Sequence, residues 1–308
     1  MSAVCLPSCS DKINEAPPAK KPPVPVAAAM AAKKNVPLQL KAIGNVEAYA
    51  TVGIKSQVGG ELFRVHFAEG QDVKRGDLLF TIDPRPYESS LKQDEAMVAR
   101  DIAQLENARA ELRRFSELVK DGYVPQQQYE QVRTAAEALE ATVAASKAKV
   151  ENARLQLKYC YIYSPITGRA GNLLLDQGNL IKANADDPMV VINQIQPIYV
   201  SFSAPEQNLA DIRKYMAAGK LKINAFVSSD GTDPEEGELT FVDNMVDMAT
   251  GTIKLKGTFE NKEKRLLPGQ FVNAALTLEV QSYVVVVPSQ ALQTGQKGQY
   301  VFVVAKNL

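Results

Sequence analysis

The chain has 308 residues, with 35 basic side chains balanced by 35 acidic ones, a single histidine and no tryptophan. The length accommodates two to three small domains. Neutral balance, with no basic patch interleaved with aromatics, excludes an electrostatic case for a nucleic-acid partner, and an aromatic fraction of 7% fits thin cores in an elongated, multi-part molecule.

Residues 1–34 are rich in Pro, Ala and Lys (Pro17-Pro18, Lys20-Lys21-Pro22-Pro23) and read as an extended tether that buries no core. Leu6-Pro7-Ser8-Cys9 has the outline of a lipoprotein cleavage box, which makes Cys9 a candidate for lipidation. A cleavable signal also carries basic and apolar segments upstream, and only Met1 to Ser8 precede Cys9. Two readings stay open: a start further upstream, or a cysteine without a role. Cys5, Cys9 and Cys160 do not make a disulfide framework or a metal site. Cys160 reads as a small buried hydrophobe in a strand.

From Val36 the hydrophobic period becomes two: Val36, Leu38, Leu40 and Ala42 alternate with polar residues. Short β-runs continue to Ile82, punctuated by Gly59-Gly60, Glu69-Gly70 and Gly76-Asp77. Residues 86–157 then read as two long helices folded back on each other. Leu91, Val98, Leu105, Leu112 and Val119 recur every seventh position, with Ala108 and Phe115 three residues beyond their neighbours. In the second helix Tyr129, Val132, Ala136, Leu139, Val143, Ser146, Val150, Ala153 and Leu157 alternate steps of three and four. Each seam lies on one side of its helix and requires a partner helix. Gly122 suits the left-handed end of the first helix, and Pro125 the first turn of the second. An antiparallel coiled-coil hairpin follows, each arm about 45–50 Å long; two helices of an ordinary bundle is the alternative.

An internal repeat explains the flanks. Val58-Gly59-Gly60-Glu61-Leu62, followed by Gly70 and Val73, is echoed by Ile166-Thr167-Gly168-Arg169-Ala170, followed by Gly178 and Ile181. Neither small unit can bury an apolar face alone, so the halves are expected to pack as one sandwich, with the hairpin inserted at the turn joining them. Further short strands are expected at 198–202, 221–227, 238–243, 252–259 and 269–278. A helix near 205–216 interrupts them, and turn signals such as Ser229-Asp230-Gly231-Thr232 separate them. Evenly spaced short strands argue for a β-barrel. Another β region starts at Gln281, with strands at 284–287 and 300–304.

Catalytic constellations are missing from the pattern. His66 is the only histidine, so a His-based triad or metal cluster cannot form without a partner chain. Ser164, Ser201 and Ser289 have no base beside them, and Gly251 and Gly269 belong to turns rather than a phosphate loop. Asp186-Asp187 and Glu235-Glu236 read as solvated carboxylates. The run from Tyr283 to Pro288 is far too short for a membrane-spanning helix.

The order β-half, hairpin, β-half, barrel resembles the periplasmic adaptors, or membrane fusion proteins, of RND-type tripartite efflux pumps, of the AcrA/MexA-like kind within the HlyD-type superfamily. The resemblance rests on Gly59-Gly60 through Glu69-Gly70-Gln71-Asp72-Val73, Ile82-Asp83-Pro84-Arg85-Pro86-Tyr87, and Ser164-Pro165-Ile166-Thr167-Gly168-Arg169 with Gln177-Gly178. It continues through Gln196-Pro197-Ile198-Tyr199-Val200-Ser201-Phe202, 247–253, Leu267-Pro268-Gly269-Gln270-Phe271-Val272 and Val287-Pro288. It implies a mixed α and β, elongated multidomain fold. A helical hairpin (86–158) is inserted into a split lipoyl-like β-sandwich (50–85 plus 159–193), followed by a β-barrel (42–49 plus 194–280). A truncated membrane-proximal β domain (35–41 plus 281–308) completes it.

The implied function is that of a non-enzymatic adaptor without cofactor or metal, in a Gram-negative periplasm. It would be associated with the inner membrane, bridging an RND transporter there and an outer-membrane channel, and homo-oligomeric as a trimer or hexamer. The family's tip carries an Arg, a Leu four residues on and a Ser seven beyond. Arg114 and Leu118 match, whereas Pro125 takes the third place and removes a hydroxyl. The Arg suits bidentate contact with carboxylates or carbonyls of a channel, and junctions near Arg85 and Gln194 are expected to flex. Rival readings are an adaptor of an ABC exporter or type I secretion system, a structural coiled-coil protein, and a biotin- or lipoyl-carrying subunit. Asp83-Pro84-Arg85-Pro86-Tyr87 offers no modifiable Lys for the last. The lack of His, Met or Cys clusters disfavours metal cargo.

Overall fold

The structure is a computed structural model that describes residues 26–227 and 234–304. Cys5, Cys9 and the turn read at Ser229 to Thr232 lie outside the described residues. The chain forms two compact units, one of residues 38–279 and one of residues 1–37 with 280–308.

The large unit holds the sandwich, the hairpin and the barrel. Its elements are β1 (Ala32–Ile54, from Leu38 onward), β2 (Gly60–Val65), β3 (Asp72–Val73), β4 (Leu78–Ile82), α1 (Arg85–Lys120), α2 (Gln126–Tyr159), β5 (Tyr161–Tyr163), β6 (Gly168–Ala170), β7 (Leu180–Ile181) and β8 (Val190–Pro205). They continue with α3 (Leu209–Ala218), β9 (Lys222–Val227), β10 (Glu235–Asp247), β11 (Thr252–Phe259) and β12 (Phe271–Val286, up to Glu279).

The repeat seen in the sequence becomes reciprocal pairing. Gly60 of the first half pairs with Ile181 of the second, and Gly168 of the second pairs with Val73 of the first. The same exchange governs the turns: the Gly70 N–H donates to the Ala170 carbonyl at 3.1 Å, and the Gly178 N–H to the Leu62 carbonyl at 2.9 Å. Even the serines correspond, with the Ser56 hydroxyl donating to the Val58 carbonyl and the Ser164 hydroxyl to the Ile166 carbonyl, both at 2.6 Å. Each half thus supplies the edge partners the other lacks. Leu62, Leu79, Phe80, Ile82, Ala170, Met189 and Ile192 fill the shared core.

The hairpin leaves and returns at adjacent strands. Thr81 of β4 pairs with Tyr161 of β5, and the Ile82 N–H donates to the Cys160 carbonyl at 2.8 Å. The Tyr87 hydroxyl, in the first turn of α1, donates to the Gly59 carbonyl at 2.7 Å and ties that helix to the sandwich. Leu105 of α1 and Ala136, Val143, Val150 and Ala153 of α2 are buried along a narrow seam, as the spacing requires. One seam position breaks the apolar pattern. Asp101, three residues beyond Val98, is buried, accepts a hydrogen bond from the Ser146 hydroxyl and is gripped by both Nε and Nη2 of Arg100 at 2.9 and 2.7 Å. The hydroxyl of the second helix and the carboxylate of the first satisfy each other there, which a polar seam residue must do to be buried.

The barrel is a closed ring of strands in the order β1-β12-β9-β10-β11-β8, with β8 pairing back onto β1. Ile198, Val200, Ile223, Leu255, Phe259 and Leu276 point inward, and Ile212 of α3 packs against them. Separate short strands are expected on the two sides of Gln194, but β8 runs through: Gln194 pairs with Ala50 and Ile198 with Ala48 of β1, with a register shift between them at Ile195, Gln196 and Pro197. Two long strands therefore run from sandwich into barrel, because alternation holds on both sides of the junction. A loop reinforces it: buried Asn261 donates to the carbonyls of Ile195 and Leu266, both at 2.9 Å, while Lys264 and Arg169 both reach the Asp72 carboxylate of β3.

In the smaller unit the start of β1, within the stretch read as a tether, is already strand at Ala32. The Asn35 side-chain oxygen accepts the Tyr283 N–H at 3.2 Å. β13 (Gln293–Gly295) and β14 (Gly298–Tyr300) form a two-stranded hairpin, so the run expected at 300–304 contributes only its first residue to a strand.

Candidate functional site

The hairpin tip is built by local rules. At the end of α1, Gly122 takes φ +76°, a conformation that any Cβ would strain. It closes a paired C-terminal motif: the Gly122 N–H donates to the Val119 carbonyl at 3.2 Å and the Tyr123 N–H to the Leu118 carbonyl at 2.9 Å. Pro125 follows at φ −65°, ψ 145°, and its carbonyl accepts from the Gln128 N–H at 3.0 Å as α2 begins. No side chain caps α2 and its first turn carries no acidic residue, so the earliest N–H groups of the helix face outward as donors.

Arg114 and Leu118 stand one turn apart on α1, and both are exposed, Leu118 by 39%. Pro125 lies across the turn, exposed and without a hydroxyl. The arginines of the hairpin divide into two groups. Arg100, Arg109, Arg133 and Arg154 each pair with a carboxylate of the hairpin, at 2.7 to 3.4 Å. Arg113 and Arg114, nearest the tip, make no ion pair among the described residues. Sequence reading passed over Tyr123, which is 77% exposed. Its place in the turn, directly after a glycine, was the available signal.

The other residues weighed in the sequence do not assemble into a site. His66 lies against the Thr81 hydroxyl at 2.8 Å, its pKa lowered by burial and then by Arg64. Ser164 spends its hydroxyl on a backbone carbonyl within its own turn. Among the described residues no group of His, Cys, Asp and Glu could hold a metal ion, and no helix is long and apolar enough to cross a membrane. On the barrel, a cleft of about 610 Å³ lies beside the stacked rings of Tyr49 and Tyr199, 4.7 Å apart.

Residues 50–193 match the barrel-sandwich hybrid domain of RND membrane fusion proteins, and residues 197–280 match the β-barrel domain of the same proteins. The multidrug resistance protein MdtA of Proteus mirabilis is 42% identical over 289 residues, covering 92% of this chain and 70% of that protein. The chain belongs to the RND membrane fusion protein family. MdtA of Pantoea ananatis is 41% identical over 287 residues, with 93% of this chain and 70% of that protein covered.

Solved structures show the fold of the family in this chain. A MacA–MexA chimera containing the Pseudomonas aeruginosa MexA α-hairpin domain superposes with a TM-score of 0.60 at 23% identity, covering 90% of this chain and 93% of that one. The membrane fusion protein Spr0693 of Streptococcus pneumoniae R6 gives 0.60 at 15% identity, covering 80% and 100%. The mixed fold read from the sequence, a helical hairpin with sandwich and barrel, is the fold observed. The family consists of non-enzymatic transport components.

Proposed function

We propose that this chain is the periplasmic adaptor of a tripartite RND multidrug efflux system, bridging an inner-membrane RND transporter and an outer-membrane channel as a homo-oligomer. The observation that carries the reading is the continuous family match through sandwich and barrel, joined to a hairpin whose tip holds its guanidinium groups out of ion pairs. The hairpin, 86–158, is the arm that reaches the channel, and Arg114, Leu118 and Pro125 form the contact at its end. The sandwich halves, 50–85 and 159–193, hold the arm. The barrel (42–49 with 194–280) and the membrane-proximal part (35–41 with 281–308) face the transporter. Cys9, when lipidated, anchors the chain to the inner membrane.

Arg114 offers the planar donor fork that carboxylates and carbonyls accept. Leu118 adds an apolar contact one turn away. Photo-reactive residues placed at Glu117 and at Thr250 test both ends in living cells, with partners identified by mass spectrometry. A channel captured at the first and an RND transporter at the second is the expected result. An ABC permease at the barrel site would overturn the RND assignment. Arg114→Asp should reduce channel capture by about 10- to 100-fold, the loss of a charge-assisted bidentate contact, and leave transporter capture unchanged.

A further inference from the structure

We infer that Tyr123 is the anchor of the tip, an aromatic hydrogen-bond donor that seats in an acceptor-lined pocket of the channel. The inference rests on the adaptor reading and adds to it a residue that the tip comparison does not contain. Three observations carry it.

The first is exposure on a rigid base. Tyr123 is 77% exposed, against 39% for Leu118 and 44% for Leu155, the other large hydrophobic side chains exposed along the hairpin. Its backbone is nevertheless fixed, because its N–H closes the turn onto the Leu118 carbonyl at 2.9 Å behind the left-handed Gly122. An aromatic side chain has only two rotatable bonds. Held on a locked turn, it gives up little conformational freedom on binding, which is why Tyr recurs among the dominant residues of interfaces.

The second is the chemistry around it. The carbonyls of Glu117, Leu118 and Val119 at the end of α1 accept from N–H groups of the turn, whereas the first N–H groups of α2 have neither a capping side chain nor an acidic neighbour in the first turn. Between Arg113 and Pro125 the sequence carries three cations, Arg113, Arg114 and Lys120, against two carboxylates, Glu117 and Asp121. Donors therefore outnumber acceptors at this end, and the surface that complements it is rich in backbone carbonyls and carboxylates.

The third is that no other side chain of the turn can do this. Val124 is apolar and Pro125 has neither donor nor acceptor on its side chain, so the Tyr123 phenol is the one neutral side-chain donor between Asp121 and Pro125. Its ring fills space while its hydroxyl reaches an acceptor, the combination that a pocket with a polar floor recognises.

The experiment measures binding of the full chain to the host's purified outer-membrane efflux channel in detergent, by surface plasmon resonance, for wild type, Tyr123→Ala, Tyr123→Phe and Arg114→Asp. Tyr123→Ala should weaken binding by about 30-fold or more, as loss of an interface hot spot does. Tyr123→Phe should keep the ring and lose roughly 5-fold, the share of one neutral hydrogen bond. Helical circular dichroism should be unchanged in both, because the ring is exposed. Binding by Tyr123→Ala within twofold of wild type, while Arg114→Asp abolishes it, would overturn the anchor and leave the adaptor reading standing. Full binding by Arg114→Asp and Tyr123→Ala alike would remove the tip as the contact altogether.

Discussion

Gly168→Ala tests how tightly β6 is clamped against β8, the contact that holds β6 in place for its pairing with β3 of the other half. A Cβ at Gly168 would lie 2.5 Å from the Asn193 carbonyl oxygen, 2.8 Å from its carbon and 3.1 Å from the Gln194 nitrogen. These are backbone atoms and cannot rotate aside as a side chain would. Nor can β8 shift, since Asn193 pairs with Thr51 of β1 on one side and with Arg169 of β6 on the other. The Thr51 hydroxyl also donates to the Asn193 side chain at 2.8 Å.

Overpacking of this kind costs about 1–3 kcal/mol, and the double-sided pairing puts the expectation in the upper half of that range. At roughly 2–4 °C per kcal/mol for a body of this size, the melting temperature should fall by about 5–10 °C. Differential scanning calorimetry measures it. Gly219→Ala is the reference, because Gly219 has extended backbone and nothing within 4 Å of a new Cβ. That change should be neutral or stabilise by about 0.4–1 kcal/mol through the unfolded chain. A Gly168→Ala variant that melts within a degree of wild type would show that β6 and β8 part freely, and would refute the close packing of the two strands at Gly168.

Two further predictions concern titratable groups in the sandwich and hairpin. Asp101 is held below the ordinary carboxylate value by the Ser146 hydroxyl and then by Arg100. Its depressed pKa stabilises the folded hairpin above the unfolded value of about 3.9, and that contribution is lost as pH falls through the folded one. Helical ellipticity should therefore fall more steeply between about pH 4 and pH 2 in wild type than in Asp101→Asn; identical profiles would place Asp101 outside the seam. Burial, and after it Asp83 and Glu88, push the Cys160 thiol up to about 11. In a Cys5→Ser, Cys9→Ser background, maleimide should leave the native chain unlabelled at pH 8 and label it fully in denaturant. Rapid native labelling would mean that the junction of α2 and β5 opens.

The tip was partly legible in the sequence. Gly122 announced the turn, whereas Arg114, Leu118 and Pro125 were singled out by the resemblance to the family's tip pattern. The place of Tyr123 after Gly122 was a signal for the turn but not for exposure, which depends on which way the closed turn sends the next residue. Asp101 was hidden for a related reason. An aspartate at a seam position looks like an interruption until Ser146, from the other helix, is known to stand opposite it. Near Gln194 the sequence shows two separate β-runs, whereas the structure joins them in one strand through a register shift, with Gln194 paired with Ala50 and Ile198 with Ala48.

The two helices, their seams, the turn between them and the internal repeat were all legible along the chain. All of these are written at short range, in spacings of three, four and seven or in matching local motifs. The exchange of edge pairings between the repeat halves, the passage of β1 and β8 through a register shift into the barrel, and the capture of both Arg169 and Lys264 by Asp72 are written nowhere at short range. Those pairings join residues far apart in the chain. Their register is set when both strand faces find their burial at once, a condition no single stretch of sequence contains.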